Sequence, residues 1–264
     1  LIHTSGATRH GAGRFSKSTV AALASGSFPV YVQPMSNPPK NLPISQLRTD
    51  ILDRIAAAAK RSGRAADDIC LTAVSKQQPD TRIADMLETG QRVFGENKVQ
   101  EAGKRWGETF ADARANIELR LIGPLQTNKA RSAMELCQAI HSVDRPKLAN
   151  TIARIAQELG TCPGIFLQIN TGEEPQKAGV SPADLPAFLK TLRKDYDLIP
   201  EGLMCIPPQG EAASPHFWLL ANMAADHGLE KISMGMSSDY EIAIKMGATD
   251  VRVGSALFGD RDYS

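Results

Sequence analysis

The stretch Leu71-Thr-Ala-Val-Ser-Lys76, followed by Gln-Gln-Pro79-Asp80, decides the fold because it is the first unit of a repeated pattern. Its strand-forming residues end at a single lysine, and the proline stops the strand. The carboxyl ends of strands carry the chemistry in α/β proteins. A lysine there can lose its proton on burial and attack an aldehyde, so Lys76 is a candidate Schiff-base residue. A solvated strand end is the alternative.

Strand-like runs alternate with helical patterns along the rest of the chain. The predicted strands are 69–76, 92–97, 117–123, 139–144, 164–170, 201–207, 231–236 and 250–258. The predicted helices between them are 82–89, 98–108, 127–137, 146–159, 182–196, 215–227 and 238–246. An amphipathic helix over 45–62 precedes them, with an apolar stripe of Leu47, Ile51, Ile55 and Ala58. Ser181-Pro182, Ser214-Pro215 and Ser237-Ser-Asp239 are predicted helix starts.

Eight strand-then-helix units are typical of a parallel (β/α)8 TIM barrel closed by right-handed crossovers. An open, doubly wound sheet is the alternative. It is disfavoured because no dinucleotide-binding or P-loop glycine motif follows the first strand, and because eight strands are enough to close a barrel. The sequence stops soon after the eighth strand, so we expect one domain over residues 42–264.

Composition excludes several classes of function. The 264 residues are 42% hydrophobic and carry a formal net charge of +1, which predicts a proper core and no nucleic-acid partner. No apolar run is long enough to cross a bilayer, so no membrane partner is expected. The four cysteines lack metal-ligand spacing, which favours reduced thiols, no metal site and a cytoplasmic location.

Residues 1–41 differ from the rest because they contain no Asp or Glu and are rich in Ser, Gly and Pro. We expect a disordered extension. It is either a transit peptide, which would place the protein in a mitochondrion or plastid, or translated upstream sequence, since the first methionine is Met35. The second interpretation is slightly favoured.

The last two predicted strands end in loops suited to a phosphate. Ser233-Met-Gly-Met-Ser237 and Val251-Arg-Val-Gly254-Ser255 each combine a glycine, which lets the backbone approach, with a hydroxyl. Barrels of this type commonly hold phosphate between the loops after strands 7 and 8. Turn glycines and capping serines are the alternative for either loop alone. Together with Lys76, the loops suggest a site for pyridoxal phosphate.

The chain resembles the pyridoxal phosphate homeostasis proteins, single-domain relatives of the alanine racemase barrel, from about Leu47 to Tyr263. The motifs that carry the resemblance are Ala73-Val-Ser-Lys76, Phe94-Gly-Glu-Asn97, Ile122-Gly-Pro-Leu-Gln126, Ile140-His-Ser-Val-Asp144, Gly202-Leu-Met204, Ser233-Met-Gly-Met-Ser237, Val251-Arg-Val-Gly254 and Phe258-Gly259. Four residues at three places depart from the family pattern: Lys98, Arg120-Leu121 and Ser255. The change at Arg120 puts in doubt only the packing or the polar lining of the barrel near the third predicted strand.

The resemblance implies a pyridoxal phosphate site with no metal and no catalytic residue. Its expected members are Lys76 as the Schiff base, Ser233, Ser237, Gly254 and Ser255 at the phosphate, Arg252 at the pyridine nitrogen, and Asn97 and Met234 as further cofactor contacts. An ion pair of Arg252 with Asp239, Glu241 or Asp250 is the alternative for that side chain. For His141 and Asp144, a structural role is favoured over an acid–base pair.

Two functions from different classes remain open. The first is a carrier that takes part in intracellular pyridoxal phosphate homeostasis, without strong catalytic activity, expected to be a monomer that passes the cofactor to apoenzymes. The second is a pyridoxal phosphate-dependent amino-acid racemase. Racemisation needs a base on each face of the substrate, and none of Tyr31, Tyr196, Tyr240 and Tyr263 lies at an evident strand end, so the carrier is favoured.

Overall fold

The computed structural model describes residues 42–259, so the expected extension over 1–41 lies outside the described residues, as does the chain from 260 onward. The strands are β1 (Cys70–Val74), β2 (Val93–Glu96), β3 (Glu118–Leu121), β4 (Ala139–Val143), β5 (Gly164–Ile169), β6 (Gly202–Cys205), β7 (Lys231–Ser233) and β8 (Asp250–Val253). They form a closed barrel in chain order, and β8 pairs in parallel with β1. The predicted (β/α)8 barrel is confirmed.

Helices surround the barrel. They are α1 (Ile44–Arg61), α2 (Asp80–Glu88), α3 (Val99–Lys104), α4 (Ala130–Leu136), α5 (Pro146–Leu159), α6 (Leu185–Asp195), α7 (Ala213–Asp226), α8 (Tyr240–Lys245) and α9 (Ser255–Phe258). A π-helical turn over Arg105–Thr109 continues α3. The apolar stripe predicted for the first helix is buried in α1, which confirms it.

The end predicted for the eighth strand and one predicted helix start are wrong. The eighth strand ends at Val253 and not at residue 258, because the N–H groups of Leu257 and Phe258 bond to the carbonyl of Gly254 and begin α9. Helix α7 begins at Ala213, so Ser214 lies inside its first turn and caps nothing. Ser181 behaves as predicted, since its hydroxyl accepts the N–H of Asp184 at 3.1 Å.

The core has two parts. Most buried apolar side chains fill the layer between the strands and the helices. A separate small cluster consists of Ala139, Phe166 and Met204, which lie on the interior faces of β4, β5 and β6. The remainder of the barrel interior is largely polar, which is unusual for a layer that branched apolar residues normally fill.

Arg120 closes the amino-terminal end of the barrel interior. From β3 it reaches Asp250 on β8 and Thr72 on β1, strands that are not its neighbours, so the contact crosses the interior. It also bonds to Glu118 at 2.7 Å. Burial opposes the charge of Arg120, but Asp250, Cys70 and Glu118 together outweigh it and raise the pKa. The positive charge that Arg120 introduces, where the sequence departs from the family pattern, is therefore neutralised within the barrel.

Two features are absent from the described part of the chain. No helix in residues 42–259 is long and apolar enough to cross a membrane. No group of three or more His, Cys, Asp or Glu side chains in the same range is placed to hold a metal ion.

Candidate cofactor site

Lys76 lies two residues beyond β1, at the carboxyl end of the barrel. The ladder continues one residue past the strand, because the N–H of Ser75 bonds to the carbonyl of Gly95 at 3.0 Å. The chain then turns sharply at Gln77, whose φ is +57°, before Pro79, the N-cap residue of α2. The Lys76 side chain is partly buried. The structure therefore places the lysine at the mouth, as predicted.

Two backbone donors converge on one oxygen beside β8. The N–H groups of Gly254 and Ala256 bond to Oγ of Ser237 at 3.2 and 3.3 Å. Ser255, partly buried, lies between these donors. Donors that meet at one oxygen are the arrangement that binds a phosphate oxygen. The loops after β7 and β8 thus come together where the sequence predicts, although Ala256 is a contributor that the sequence analysis missed.

The two glycines of these loops have different constraints. Gly235 has a φ of +91°, and a methyl group there would lie 2.5 Å from Cβ of Ala243. Gly254 has a φ of −117°, and its methyl group would lie at an ordinary 3.5 Å from Cβ of Val74. The protein itself therefore requires glycine at 235, whereas at 254 only a bound group would exclude a side chain.

The lysine and the donors belong to neighbouring strands at the same mouth. Thr72 of β1 lies opposite Arg252 of β8, and this register brings Gly254 against Val74. Lys76 follows Val74 by two residues. An aldehyde near the lysine and an anion near the donors can therefore belong to one small molecule.

Arg252 lies inside the barrel below this mouth. Its guanidinium donates to Oγ of Ser233 at 2.6 Å and to the carbonyl of Cys205 at 2.9 Å. Among the described residues it forms no ion pair: Asp250 pairs with Arg120, Glu241 pairs with Arg54 and Arg61, and Asp239 accepts the N–H of Met236. The alternative role in a barrel-end ion pair is therefore wrong.

Ser233 is held inside the barrel with Arg252. Its hydroxyl also contacts Nδ1 of His141 at 3.0 Å, and Ser233 is fully buried. The structure thus brings Ser237, Gly254 and Ser255 into one group and places Ser233 in another. Burial and two nearby arginines hold the pKa of His141 well below its ordinary value. The imidazole stacks on Phe166 at 4.0 Å, a structural position away from Asp144, which pairs with Arg145.

The two remaining predicted cofactor contacts, Met234 and Asn97, have few atoms available to a ligand. The side chain of Met234 is in the hydrophobic core, and its N–H donates to the carbonyl of Asp250 at 3.1 Å. Asn97 lies partly buried at the end of β2. Its carbonyl oxygen would be 2.3 Å from a methyl group on Gly123, so these two strand ends are in close contact.

Comparisons with known proteins show the family of this chain. The family described as alanine racemase, N-terminal domain, matches residues 51–262. A pyridoxal phosphate homeostasis protein of Pseudomonas aeruginosa is 42% identical over 216 residues, 80% of this chain and 92% of the relative. The chain belongs to this family of pyridoxal phosphate homeostasis proteins.

Solved structures of PipY from Synechococcus elongatus show the same family fold. PipY without pyridoxal phosphate is 38% identical, with a TM-score of 0.73 over 82% of this chain and 100% of PipY. PipY with pyridoxal phosphate bound is 40% identical, with a TM-score of 0.67 over 79% and 100%. An alanine racemase of Clostridium difficile, 16% identical with a TM-score of 0.58, covers 83% of this chain and 57% of the racemase, and it shows likeness of fold alone.

Proposed function

We propose that this chain binds pyridoxal phosphate at Lys76 and takes part in its intracellular homeostasis as a carrier without strong catalytic activity. One observation carries the proposal. Lys76 and the converging N–H groups of Gly254 and Ala256 lie at the same mouth, on strands that pair with each other. The homeostasis proteins and PipY support the choice of ligand.

Each part of the site suits one part of that molecule. Lys76 would hold the aldehyde covalently, and the loop donors with Ser237 and Ser255 would hold the phosphate. Arg252, which is always a donor, would face the pyridine nitrogen and keep it unprotonated. Bound pyridoxal phosphate supplies an electrophilic carbon and, when its ring is protonated, an electron sink. Arg252 therefore favours storage of the aldehyde over carbanion chemistry.

The described tyrosines do not supply a second base at the mouth. Tyr240 is buried in the core, and Tyr196 follows α6 at the opposite end of the barrel. Tyr31 and Tyr263 lie outside the described residues. This favours the carrier over the racemase. A monomer that passes the cofactor to apoenzymes in the cytoplasm completes the proposal.

Trapping of the bound aldehyde tests the site. Purified protein incubated with pyridoxal phosphate and dialysed should be yellow, and borohydride reduction followed by peptide mapping should place the pyridoxyl group on Lys76. Lys76→Ala should lose the visible band, whereas the control Lys98→Ala, at an exposed lysine beyond β2, should keep it. A label on another lysine would contradict the assignment.

Deuterium exchange at the α-carbon separates the carrier from the racemase. With alanine and a panel of other amino acids, the loaded parent should exchange far below an enzymatic turnover of about 1 per second. Arg252→Glu favours the protonated ring, so this variant should exchange faster than the parent if it retains the cofactor. A parent that racemises alanine at enzymatic rates would replace the carrier with the racemase.

A further inference from the structure

The chain turns over residues 75–78, here called the Lys76 turn. A charged network lies behind this turn, on the outer side of the barrel wall. Gly95 faces the interior, since a methyl group there would lie 2.9 Å from Cγ2 of Thr72. Its neighbour Glu96 therefore points outward, toward α3 and the π-helical turn. Glu96 is fully buried. A carboxylate in this position costs stability unless it is paired and hydrogen-bonded.

One oxygen of Glu96 collects three donors. Its Oε1 accepts from Oγ of Ser75 at 2.7 Å, from Arg105 at 2.8 Å and from the indole N–H of Trp106 at 3.3 Å. The π-helical turn begins at Arg105 and directs two consecutive side chains at the same carboxylate. Such turns are rare and frequently accompany functional sites.

Arg105 joins both sides of the Lys76 turn. The same guanidinium donates to the carbonyl of Ser75 at 3.0 Å and to the carbonyl of Gln78 at 2.9 Å. Lys76 lies between these two residues, next to the strained Gln77. Burial opposes the charge of Arg105, but Glu96 and Asp80 outweigh it and raise the pKa. The guanidinium is a permanent cation held in place by Glu96.

We infer that Glu96 and Arg105 are positioning residues that fix the backbone of Lys76 so that its amine is directed at the aldehyde of the ligand. The pair lies outside the barrel and acts on the ligand only through Lys76. The inference rests on the proposed function, because it concerns how that site is held. The planar guanidinium of an arginine can donate to two carbonyls and a carboxylate together. The ammonium of a lysine lacks this planar array of donors and cannot reproduce the geometry.

The test compares pyridoxal 5′-phosphate with pyridoxine 5′-phosphate, which has an alcohol in place of the aldehyde and does not need the amine. In Arg105→Lys, which keeps the charge beside Glu96, affinity for pyridoxal phosphate should fall on the order of tenfold. Affinity for pyridoxine phosphate should change by less than about twofold. In a Lys76→Ala background, Arg105→Lys should have no further effect on either compound.

Arg64 provides a matched control because it also joins several backbone carbonyls. It bonds to Ala248 at 2.7 Å, Asp68 at 3.3 Å and Ile244 at 3.4 Å, at the opposite end of β1. Arg64→Lys should lower stability to urea by a similar amount to Arg105→Lys and leave the ratio of the two affinities unchanged. Ser75→Ala, a milder change that removes the 2.7 Å bond to Glu96, should shift the ratio in the same direction as Arg105→Lys.

The outcomes separate the inference from the proposed function. If the parent distinguishes the two compounds through Lys76 but Arg105→Lys and Ser75→Ala leave the ratio unchanged, the inference is overturned and the proposed function stands. Equal losses for both compounds in Arg105→Lys also overturn it, since they indicate a general structural role. A parent that binds neither compound overturns the proposed function, and the inference with it.

Discussion

Two buried arginines inside the same barrel have opposite surroundings. At the amino-terminal end, Arg120 bonds to the carboxylates of Asp250 and Glu118. Nearer the mouth, Arg252 bonds only to neutral oxygens among the described residues, those of Ser233 and Cys205. The pKa of Arg120 is raised, whereas burial lowers the pKa of Arg252. The charge of the first arginine is neutralised within the fold, whereas the second is the one proposed to contact the ligand.

The largest expected effect tests this difference directly. Arg120→Met should lower the free energy of unfolding of the ligand-free protein by about 3–5 kcal/mol, because Asp250 stays buried without its cation. Arg252→Met should change it by no more than about 1 kcal/mol, because no carboxylate loses its partner. Urea unfolding measures both. Equal losses would show that the two arginines serve the fold alike.

At the mouth, the phosphate loop should act on ligand affinity. Ser255→Ala removes a hydroxyl donor, so affinity for pyridoxal phosphate should fall by about 1.5–3 kcal/mol, or roughly tenfold or more. Affinity for pyridoxal, which lacks the phosphate, should be nearly unchanged. Titration by absorption measures both, with Ser238→Ala in the exposed part of the β7 loop as the control. Equal losses for both ligands would mean that Ser255 does not contact the phosphate.

His141, which contacts the same hydroxyl of Ser233 as Arg252, should make the free energy of unfolding depend on pH. Its pKa is depressed in the folded protein, while the unfolded chain takes up the proton near pH 6.5. Below about pH 6.5 the unfolded state binds one proton more, so the free energy of unfolding falls by up to about 1.4 kcal/mol per pH unit. Above about pH 7.5 the contribution of His141 is constant.

Urea unfolding between pH 7.5 and 5.5 measures this slope. His141→Gln should make it shallower by about one proton. An unchanged slope in His141→Gln would show that His141 takes up its proton alike in the folded and unfolded states, which contradicts the prediction.

The smallest expected effect on stability is at Gly254. Gly254→Ala should change the free energy of unfolding of the ligand-free protein by less than about 1 kcal/mol, since its methyl group meets Val74 at an ordinary distance. Gly235→Ala should cost more, because of its positive φ and close contact with Ala243. Urea unfolding compares them. A large loss at Gly254 in the absence of ligand would place it with the structural residues.

Local patterns were sufficient to predict the barrel and the place of Lys76. The alternation of strand and helix periods fixes eight units, and parallel pairing then brings all strand ends to one mouth. The eighth strand was predicted too long because Ser255–Phe258 is as apolar as a strand, and only the carbonyl of Gly254 decides for a helix. Hydropathy does not report such hydrogen bonds.

Contacts across the barrel could not be predicted in the same way. Ser233 was assigned to the phosphate from its sequence neighbours, but its partners Arg252 and His141 lie on other strands. The network of Glu96 and Arg105 was missed because the buried carboxylate and the π-helical turn have no periodic signal. The glutamate of Phe94-Gly-Glu-Asn97, a charge inside a buried strand, was the available clue.

The pairing of β1 with β8 has a consequence for how the protein is made. Lys76 lies near the start of the described chain and Gly254 near its end, so the lysine and the phosphate donors meet only when the last strand docks against the first. Long-range parallel pairing of this kind makes folding slow. In the proposed site, a chain with an open barrel lacks the phosphate donors beside Lys76, so ligand binding should stabilise only the closed barrel.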